Sequence, residues 1–209
     1  VEDMRNNLLK GPLKEAQAIV CASGAFTKPV AALGGIDLPV TPVRQQLFRC
    51  GLPRSWPYRF PMVIDPSGVH WRHDDPEHPG DQDRIVVAYT KLDEPTGENF
   101  NCDMQRWHSE FLPALIERLP ALTDSVLLEG WAGLYDMTPD HNPILGEYPK
   151  QSGFYVASGF SGHGLMMAPA TGRAMADLLI TGESNALDIG AFDPERFTRG
   201  ELFWDDAMI

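Results

Sequence analysis

The segment that most constrains the fold is residues 153–179, which read GFYVASGFSGHGLMMAPATGRAMADLL. Its first five residues predict a buried strand over residues 153–157. A helix is predicted over residues 165–180, and Gly182 just beyond it is a typical end signal. Its apolar side is predicted to contain Leu165, Ala168, Met175, Leu178 and Leu179. Three glycines occupy the loop between strand and helix: Gly159, Gly162 and Gly164.

This loop predicts a site that binds negative charge. Glycines let backbone N–H groups approach a ligand closely. The start of the following helix adds N–H donors without partners and the positive end of the helix dipole. A glycine-rich turn that binds no ligand is the alternative, and the residues alone leave both open.

Two well-known glycine-containing loop motifs do not match this segment. The elbow of serine hydrolases requires G-x-S-x-G, but after Gly159 and Ser161 the last glycine is replaced by His163. The dinucleotide fingerprint requires G-x-G-x-x-G, but Met167 stands where its third glycine is needed.

The rest of the chain mixes extended and helical patterns. Strands are predicted at residues 16–21, 43–50, 61–64, 69–73, 84–89 and 125–129, with a turn at residues 65–68 that makes a hairpin. Helices are predicted at residues 27–33, before Gly34, and at residues 104–119. Asp103 is expected to cap the second helix, and Pro113 to kink or split it. Met104, Trp107, Phe111 and Leu115 are predicted as its core side. The pattern predicts an α/β fold of the mixed α+β type.

Charge and composition exclude some classes of protein. The net charge is −12, with 17 basic against 29 acidic residues, so we expect no nucleic-acid partner. No apolar run reaches the roughly 18 residues of a membrane-spanning helix. Residues 1–10 are polar, so we expect no secretory signal. A first residue other than methionine is expected either where Val1 is not a natural start or where the chain has been processed. Three cysteines, Cys21, Cys50 and Cys102, are predicted to be reduced thiols, which favours a cytoplasmic location.

A metal site is not expected. His70, His73 and His78 lie near Asp74 and Asp75, but their spacing matches no standard set of metal ligands. We interpret this segment as a solvated loop.

Four ordered segments resemble one known superfamily. GFSGHGLMMAPATGRAMADLL closely resembles the last flavin-contacting loop and helix of the D-amino-acid oxidase and sarcosine oxidase superfamily. AQAIVCASGAFT, VTPVRQQLF and GWAGLYDMTPDHNPILG resemble, in order, its FAD-domain edge strand, its crossing into the substrate domain and its return strand. Residues 187–209 are most similar to the FAD-dependent oxidoreductase domain-containing group, which is related to sarcosine and dimethylglycine dehydrogenases.

The resemblance implies an incomplete flavoprotein fold. Residues 1–42 would end an FAD-binding domain, residues 43–130 would form a substrate domain with a mixed or antiparallel sheet, and residues 131–209 would return to the FAD-binding domain. The family's strand–G-x-G-x-x-G–helix unit, which holds the ADP pyrophosphate, is absent from these 209 residues. We therefore expect the chain to need a missing N-terminal half or a partner subunit. An exposed apolar face where that half would pack, and possible homo-oligomers, are also expected.

The resemblance implies which residues contact FAD. Near the ADP part it implies Ala22, Ser23 and Gly24. Around the isoalloxazine ring it implies Gly133, Tyr135, Ser161, Gly162, His163, Gly164, Leu165 and Met166. Some sarcosine oxidases attach flavin to a cysteine at the position of Gly133, so non-covalent FAD is expected here. The helix start would stabilise the charge of reduced flavin.

Two charged family residues are missing. Met166 replaces the lysine of monomeric sarcosine oxidases, and Tyr135 replaces the carboxylate-binding arginine of glycine oxidase-like members. These changes favour a dehydrogenase, or a protein that has lost its activity. Arg72 is the remaining candidate for a substrate carboxylate clamp, with an exposed strand arginine as the alternative. No general base is evident.

The functional expectation is oxidation of a small secondary amine or amino acid, such as sarcosine, glycine or a D-amino acid, by hydride transfer to flavin. The isolated chain is expected to be inactive. The alternatives are a non-catalytic assembly or scaffold protein with the flavoprotein fold, and a subunit of a hetero-oligomeric oxidase.

Overall fold

Two separate sheets organise the computed structural model, which describes residues 16–53, 59, 61–74, 83–90, 93–149 and 153–204. The first has the order β1-β8-β7, from β1 (Ile19–Cys21), β7 (Ile144–Glu147) and β8 (Phe154–Ser158). Here β1 is parallel to β8, and β7 is antiparallel to it. The second, fully antiparallel, has the order β3-β4-β5-β2-β6, from β2 (Thr41–Gly51), β3 (Val63–Ile64), β4 (Val69–Asp74), β5 (Arg84–Tyr89) and β6 (Val126–Met137). The predicted mixed fold is confirmed.

Four α-helices accompany the sheets in the described residues: α1 (Thr27–Ala32), α2 (Leu112–Arg118), α3 (Gly164–Thr181) and α4 (Arg196–Arg199). The helix predicted over residues 165–180 is α3, and it ends at Gly182 with a φ of 82°. No described helix is long and apolar enough to span a membrane.

The helix predicted over residues 104–119 is unbroken over residues 105–118 but changes from α to π geometry instead of splitting. A π-helical turn (Trp107–Phe111) precedes α2, and Pro113 lies at the start of α2. Proline has no N–H to donate to the carbonyl four residues earlier, so the regular α ladder is interrupted there. Asp103 Oδ1 accepts from Gln105 N at 3.0 Å, which caps the segment. Met104 is 43% exposed, so its placement on the core side was wrong.

One face of the five-stranded sheet packs against this helical segment. Its buried side chains are Phe48, Cys50, Trp71, Ile85, Val87, Trp107, Phe111 and Leu115. The rings of Phe48 and Phe111 meet edge to face, with centroids 4.6 Å apart. Burial raises the pKa of the Cys50 thiol to about 12. All three cysteines are free, and Cys102 is only half-buried.

A second core joins the three-stranded sheet to α1 and the segment after it. Its members include Cys21, Ala31, Leu38, Val40, Ile144 and Val156. The chain passes between the two cores along β2 and β6, which pair with each other. The predicted boundaries at residues 42/43 and 130/131 fall inside these two strands and stay predictions.

Candidate functional site

The loop between β8 and α3 is held by an acidic side chain from the end of β6. Asp136 Oδ2 accepts from Gly159 N at 2.7 Å and from Phe160 N at 3.1 Å. Ser158 Oγ donates to the same oxygen at 3.4 Å. Sequence reasoning missed Asp136, although it directly follows Tyr135 in the GLYDMTPD motif.

The loop adopts left-handed backbone conformations that are costly for most residues. Gly159 and Gly162 have φ values of 78° and 99°, and the non-glycine Ser161 has 51°. Ser161 is buried, its N–H donates to the Asp136 carbonyl at 3.2 Å, and its Oγ accepts from Thr138 N at 3.3 Å. The Ser161 hydroxyl therefore stabilises the conformation of the loop.

Tyr135 contacts the loop where a side chain is not tolerated. A Cβ added to Gly162 would lie 2.6 Å from Tyr135 Cε2. Burial raises the pKa of the Tyr135 phenol, which keeps it neutral at physiological pH. The structure thus brings Tyr135 and Gly162, both implied ring contacts, together.

The first turn of α3 presents backbone donors. The His163 side chain does not cap the helix, and no acidic residue lies in the first turn. Leu165 is 93% exposed and Met166 is 60% exposed, so this turn lies at the protein surface. This geometry can bind negative charge, as predicted for the loop.

A cavity of about 480 Å³ opens beside this helix start, at the carboxyl ends of β1 and β8. Its lining includes Ala22 and Gly24, implied on the ADP side, and Gly164, implied on the ring side. Crevices at the carboxyl ends of parallel strands are where α/β sheets bind ligands. The structure therefore places Ala22, Gly24 and Gly164 around one space, while the other implied residues, all within the described part of the chain, do not line it.

The segment after β1 is tied to the end of β8. Ser158 Oγ lies 3.3 Å from the Gly24 carbonyl oxygen and also contacts Thr27 Oγ1. Ser23 Oγ lies 3.7 Å from Cys21 Sγ. A Cβ added to Gly24 would meet nothing within 4 Å, so the backbone faces open space there.

Gly133 also faces open space. It pairs with Gln45 of β2, and a Cβ added to it would meet no atom within 4 Å. Glycine has no atom that could form a thioether.

Arg72 is not brought together with the other implied residues. Across the sheet it is in register with Glu129 of β6, six residues before Tyr135. At a rise of about 3.4 Å per residue, that is roughly 20 Å along the strand. Its Nη1 donates to the His73 carbonyl at 3.0 Å and lies 3.9 Å from Asp74 Oδ1. The carboxylate-clamp role stays a prediction.

The histidine-rich segment is described only in part. His78 and Asp75 lie outside the described residues. The His70 Nδ1 atom is 3.1 Å from a backbone carbonyl oxygen, and Asp74 Oδ2 accepts from Arg49 Nε at 2.7 Å. No metal-ligand cluster occurs within the part of the chain that the structure describes.

A buried ion pair ties the C-terminal tail to the T-P-D motif. Arg196 Nε donates to Asp140 Oδ2 at 2.7 Å, and Nη2 donates to Oδ1 at 2.9 Å. Both side chains are buried. Thr138, whose N–H bonds the Ser161 hydroxyl, also donates from Oγ1 to the Asn142 carbonyl at 2.8 Å. No local sequence signal links Arg196 to this motif, because the partners are far apart in the chain.

We expect this pair to make stability depend on pH. Burial acts to raise the pKa of Asp140, but the hydrogen bonds and charge of Arg196 outweigh it, so the pKa lies below its usual value. The resulting stability is fully present above the unfolded-state pKa of about 4 and is lost as pH falls through the lowered folded-state pKa. Urea unfolding between pH 2 and pH 7, roughly the range that brackets this pKa, should show a smaller acid loss in Asp140→Asn. Equal acid losses would contradict this.

Comparison with known proteins gives a consistent family match. The family described as FAD dependent oxidoreductase matches residues 4–178. FAD-dependent oxidoreductase domain-containing protein 1 of Bos taurus is 32% identical over 207 residues, covering 93% of this chain and 42% of the relative. Glycine oxidase of Geobacillus kaustophilus is 28% identical over 185 residues, covering 87% and 45%.

A solved structure agrees with these matches. The crystal structure of L-proline dehydrogenase from P. horikoshii superposes with a TM-score of 0.78 at 29% identity, covering 89% of this chain and 48% of that one. The chain spans less than half the length of each of these three proteins.

Proposed function

Because the chain belongs to the family of FAD-dependent oxidoreductases, we propose that it supplies the flavin-ring side of an enzyme that oxidises a small secondary amine or amino acid. The observation that carries this proposal is the single cavity that joins Ala22 and Gly24 to the start of α3. Proline is a secondary amine and glycine is an amino acid, and both occur in the names of relatives.

The residues present fit a flavin. Gly133 and Gly24 leave open space where a side chain would intrude, and the loop presents N–H groups without a side-chain cap. FAD, when bound, supplies the hydride acceptor. The N–H groups of Gly164–Met166 would hold the negative charge that develops on reduction.

Open apolar surfaces support a missing partner polypeptide. On α3, Leu165 is 93% exposed and Leu179 is 40% exposed although both belong to the predicted apolar side, whereas Met175 on that side is buried. Ile180 is 81% exposed. On β1, Ile19 and Val20 are exposed, and no described strand pairs with its outer edge. We call the partner the complementary half: the polypeptide that corresponds to the unmatched part of the relatives and carries the G-x-G-x-x-G unit. It would cover these surfaces, which monomeric proteins rarely leave open.

Anaerobic flavin reduction tests the function. The chain is produced together with the complementary half, loaded with FAD and mixed with sarcosine, proline, glycine or a D-amino acid. We expect at least one of these amines to remove the visible absorbance of oxidised flavin. Trimethylacetate, which has no nitrogen, is the matched negative control.

A non-catalytic scaffold is the second candidate, and Met166 and Tyr135 favour it because neither supplies a cation for a substrate carboxylate. Bound FAD that dithionite reduces, but that none of the amines reduces, would support the scaffold over the enzyme.

Gly172→Ala tests the open face of α3. A Cβ at Gly172 would meet nothing within 4 Å, and alanine is about 1 kcal/mol better than glycine inside a helix. We therefore expect the isolated chain to gain roughly 1 kcal/mol in urea unfolding. Gly172 also lines the cavity, so in the presence of the complementary half the added methyl group should weaken the FAD-loaded complex. Loss of stability in the isolated chain would contradict the open face.

A further inference from the structure

One acidic side chain both holds the loop and lines the cavity. Asp136 lines the cavity, and no other ionisable side chain does so within the described part of the chain. Its Oδ2 accepts from Gly159 N, Phe160 N and Ser158 Oγ, at 2.7, 3.1 and 3.4 Å. Its Oδ1 accepts no hydrogen bond from the described residues and is therefore the oxygen available to a ligand.

The side chains that line this cavity favour hydroxyl groups over phosphate. No lysine or arginine lines it within the described residues, and a carboxylate repels a phosphate group. A carboxylate oxygen accepts readily from a hydroxyl group. The same cavity joins Ala22 and Gly24, on the implied ADP side, to Gly164, on the implied ring side. In FAD, the hydroxyl-bearing part between ring and phosphates is the ribityl chain.

We propose that Asp136 Oδ1 accepts hydrogen bonds from ribityl hydroxyl groups of the flavin. Oδ2 meanwhile keeps the backbone of Gly159 and Phe160 in place. Asp136 thus links the shape of the loop to occupancy of the cavity. The inference rests on the proposed function, since it requires that the ligand is a flavin.

Asp136→Asn isolates the cavity-facing oxygen. The two backbone N–H groups of the loop require an acceptor, so the asparagine oxygen stays on the loop side. Its NH₂ group then faces the cavity and replaces a charged acceptor with a donor. Asp124→Asn is the matched control, because Asp124 is exposed and lies outside the cavity lining.

The probes are riboflavin, lumiflavin, which lacks the ribityl hydroxyls, and adenosine, which carries the ribose hydroxyls instead. Ligand-observed NMR titration of the full chain should show riboflavin binding roughly tenfold tighter than lumiflavin, as expected for a hydrogen bond to a charged group. In Asp136→Asn the ratio of the lumiflavin Kd to the riboflavin Kd should fall towards one, and in Asp124→Asn this ratio should not change. If circular dichroism shows that Asp136→Asn does not fold, the ratio of the lumiflavin Kd to the riboflavin Kd in the wild-type chain tests the inference.

Three results would overturn the inference: equal binding of riboflavin and lumiflavin, no binding of riboflavin, or tighter binding of adenosine than of riboflavin that depends on Asp136. The proposed function is judged separately by amine-driven reduction of FAD in the presence of the complementary half. Reduction there without a riboflavin preference here would defeat only the role of Asp136.

Discussion

Arg196→Met is expected to lower the free energy of unfolding by about 3–5 kcal/mol, the cost typical of breaking a buried ion pair. Arg196 is 1% exposed and Asp140 is fully buried, with two hydrogen bonds between them at 2.7 and 2.9 Å. Methionine fills similar space but leaves the Asp140 carboxylate without its counter-charge. The tail and the T-P-D motif should therefore separate before the rest of the chain unfolds.

Arg199→Met is the matched control, since Arg199 lies on the same helix, α4. Its side chain is 40% exposed and pairs with Asp193 at 2.9 Å and Glu201 at 2.7 Å. Exposed pairs of this kind contribute about 0–1 kcal/mol. Asp140→Leu combined with Arg196→Met should recover part of the loss, because no unpaired charge remains. An Arg196→Met cost no larger than that of Arg199→Met would show that the pair does not hold the tail.

Gly162→Ala is expected to cost about 2–4 kcal/mol, from a left-handed backbone and a direct clash. The φ of Gly162 is 99°, and the added Cβ would lie 2.6 Å from Tyr135 Cε2. Either the Tyr135 ring or the loop must move. Because Gly162 lies between two other implied ring contacts, Ser161 and His163, we also expect weaker flavin binding in the presence of the complementary half.

Gly200→Ala separates the cost of the left-handed backbone from the cost of the clash with Tyr135. Gly200 also has a positive φ, 71°, but a Cβ there would meet nothing within 4 Å. Its cost should be limited to backbone strain, about 1–2 kcal/mol. Urea unfolding of both variants gives the share due to the Tyr135 contact as the difference. If the two costs are equal, Tyr135 does not press on the loop.

Local sequence signals were sufficient to predict much of the secondary structure. The helix of residues 165–180 could be predicted because apolar spacing and Gly182 act within a few residues. The hairpin of β3 and β4 could be predicted for the same reason, from the Asp65 to Gly68 turn. Such signals need no knowledge of distant parts of the chain.

Contacts between distant residues could not be predicted. Asp136 meets Gly159 across 23 positions, and Arg196 meets Asp140 across 56. Neither pair leaves a periodic or local pattern in the sequence. The exposure of Leu165 could not be predicted for a different reason. Apolar spacing predicts that one face of a helix is buried, but it does not indicate whether the polypeptide that buries it belongs to the same chain. The position of Arg72 was equally hidden, because strand order is set by long-range pairing.

Titration of FAD into the chain, alone and with the complementary half, tests the central claim most directly. Flavin fluorescence and the oligomeric state are followed together. We predict no tight binding to the chain alone, and binding at least a thousandfold tighter, or more than about 4 kcal/mol, when the complementary half forms a one-to-one complex with it. Tight FAD binding by the isolated chain would contradict the account, because the chain would then contain a phosphate-binding site of its own.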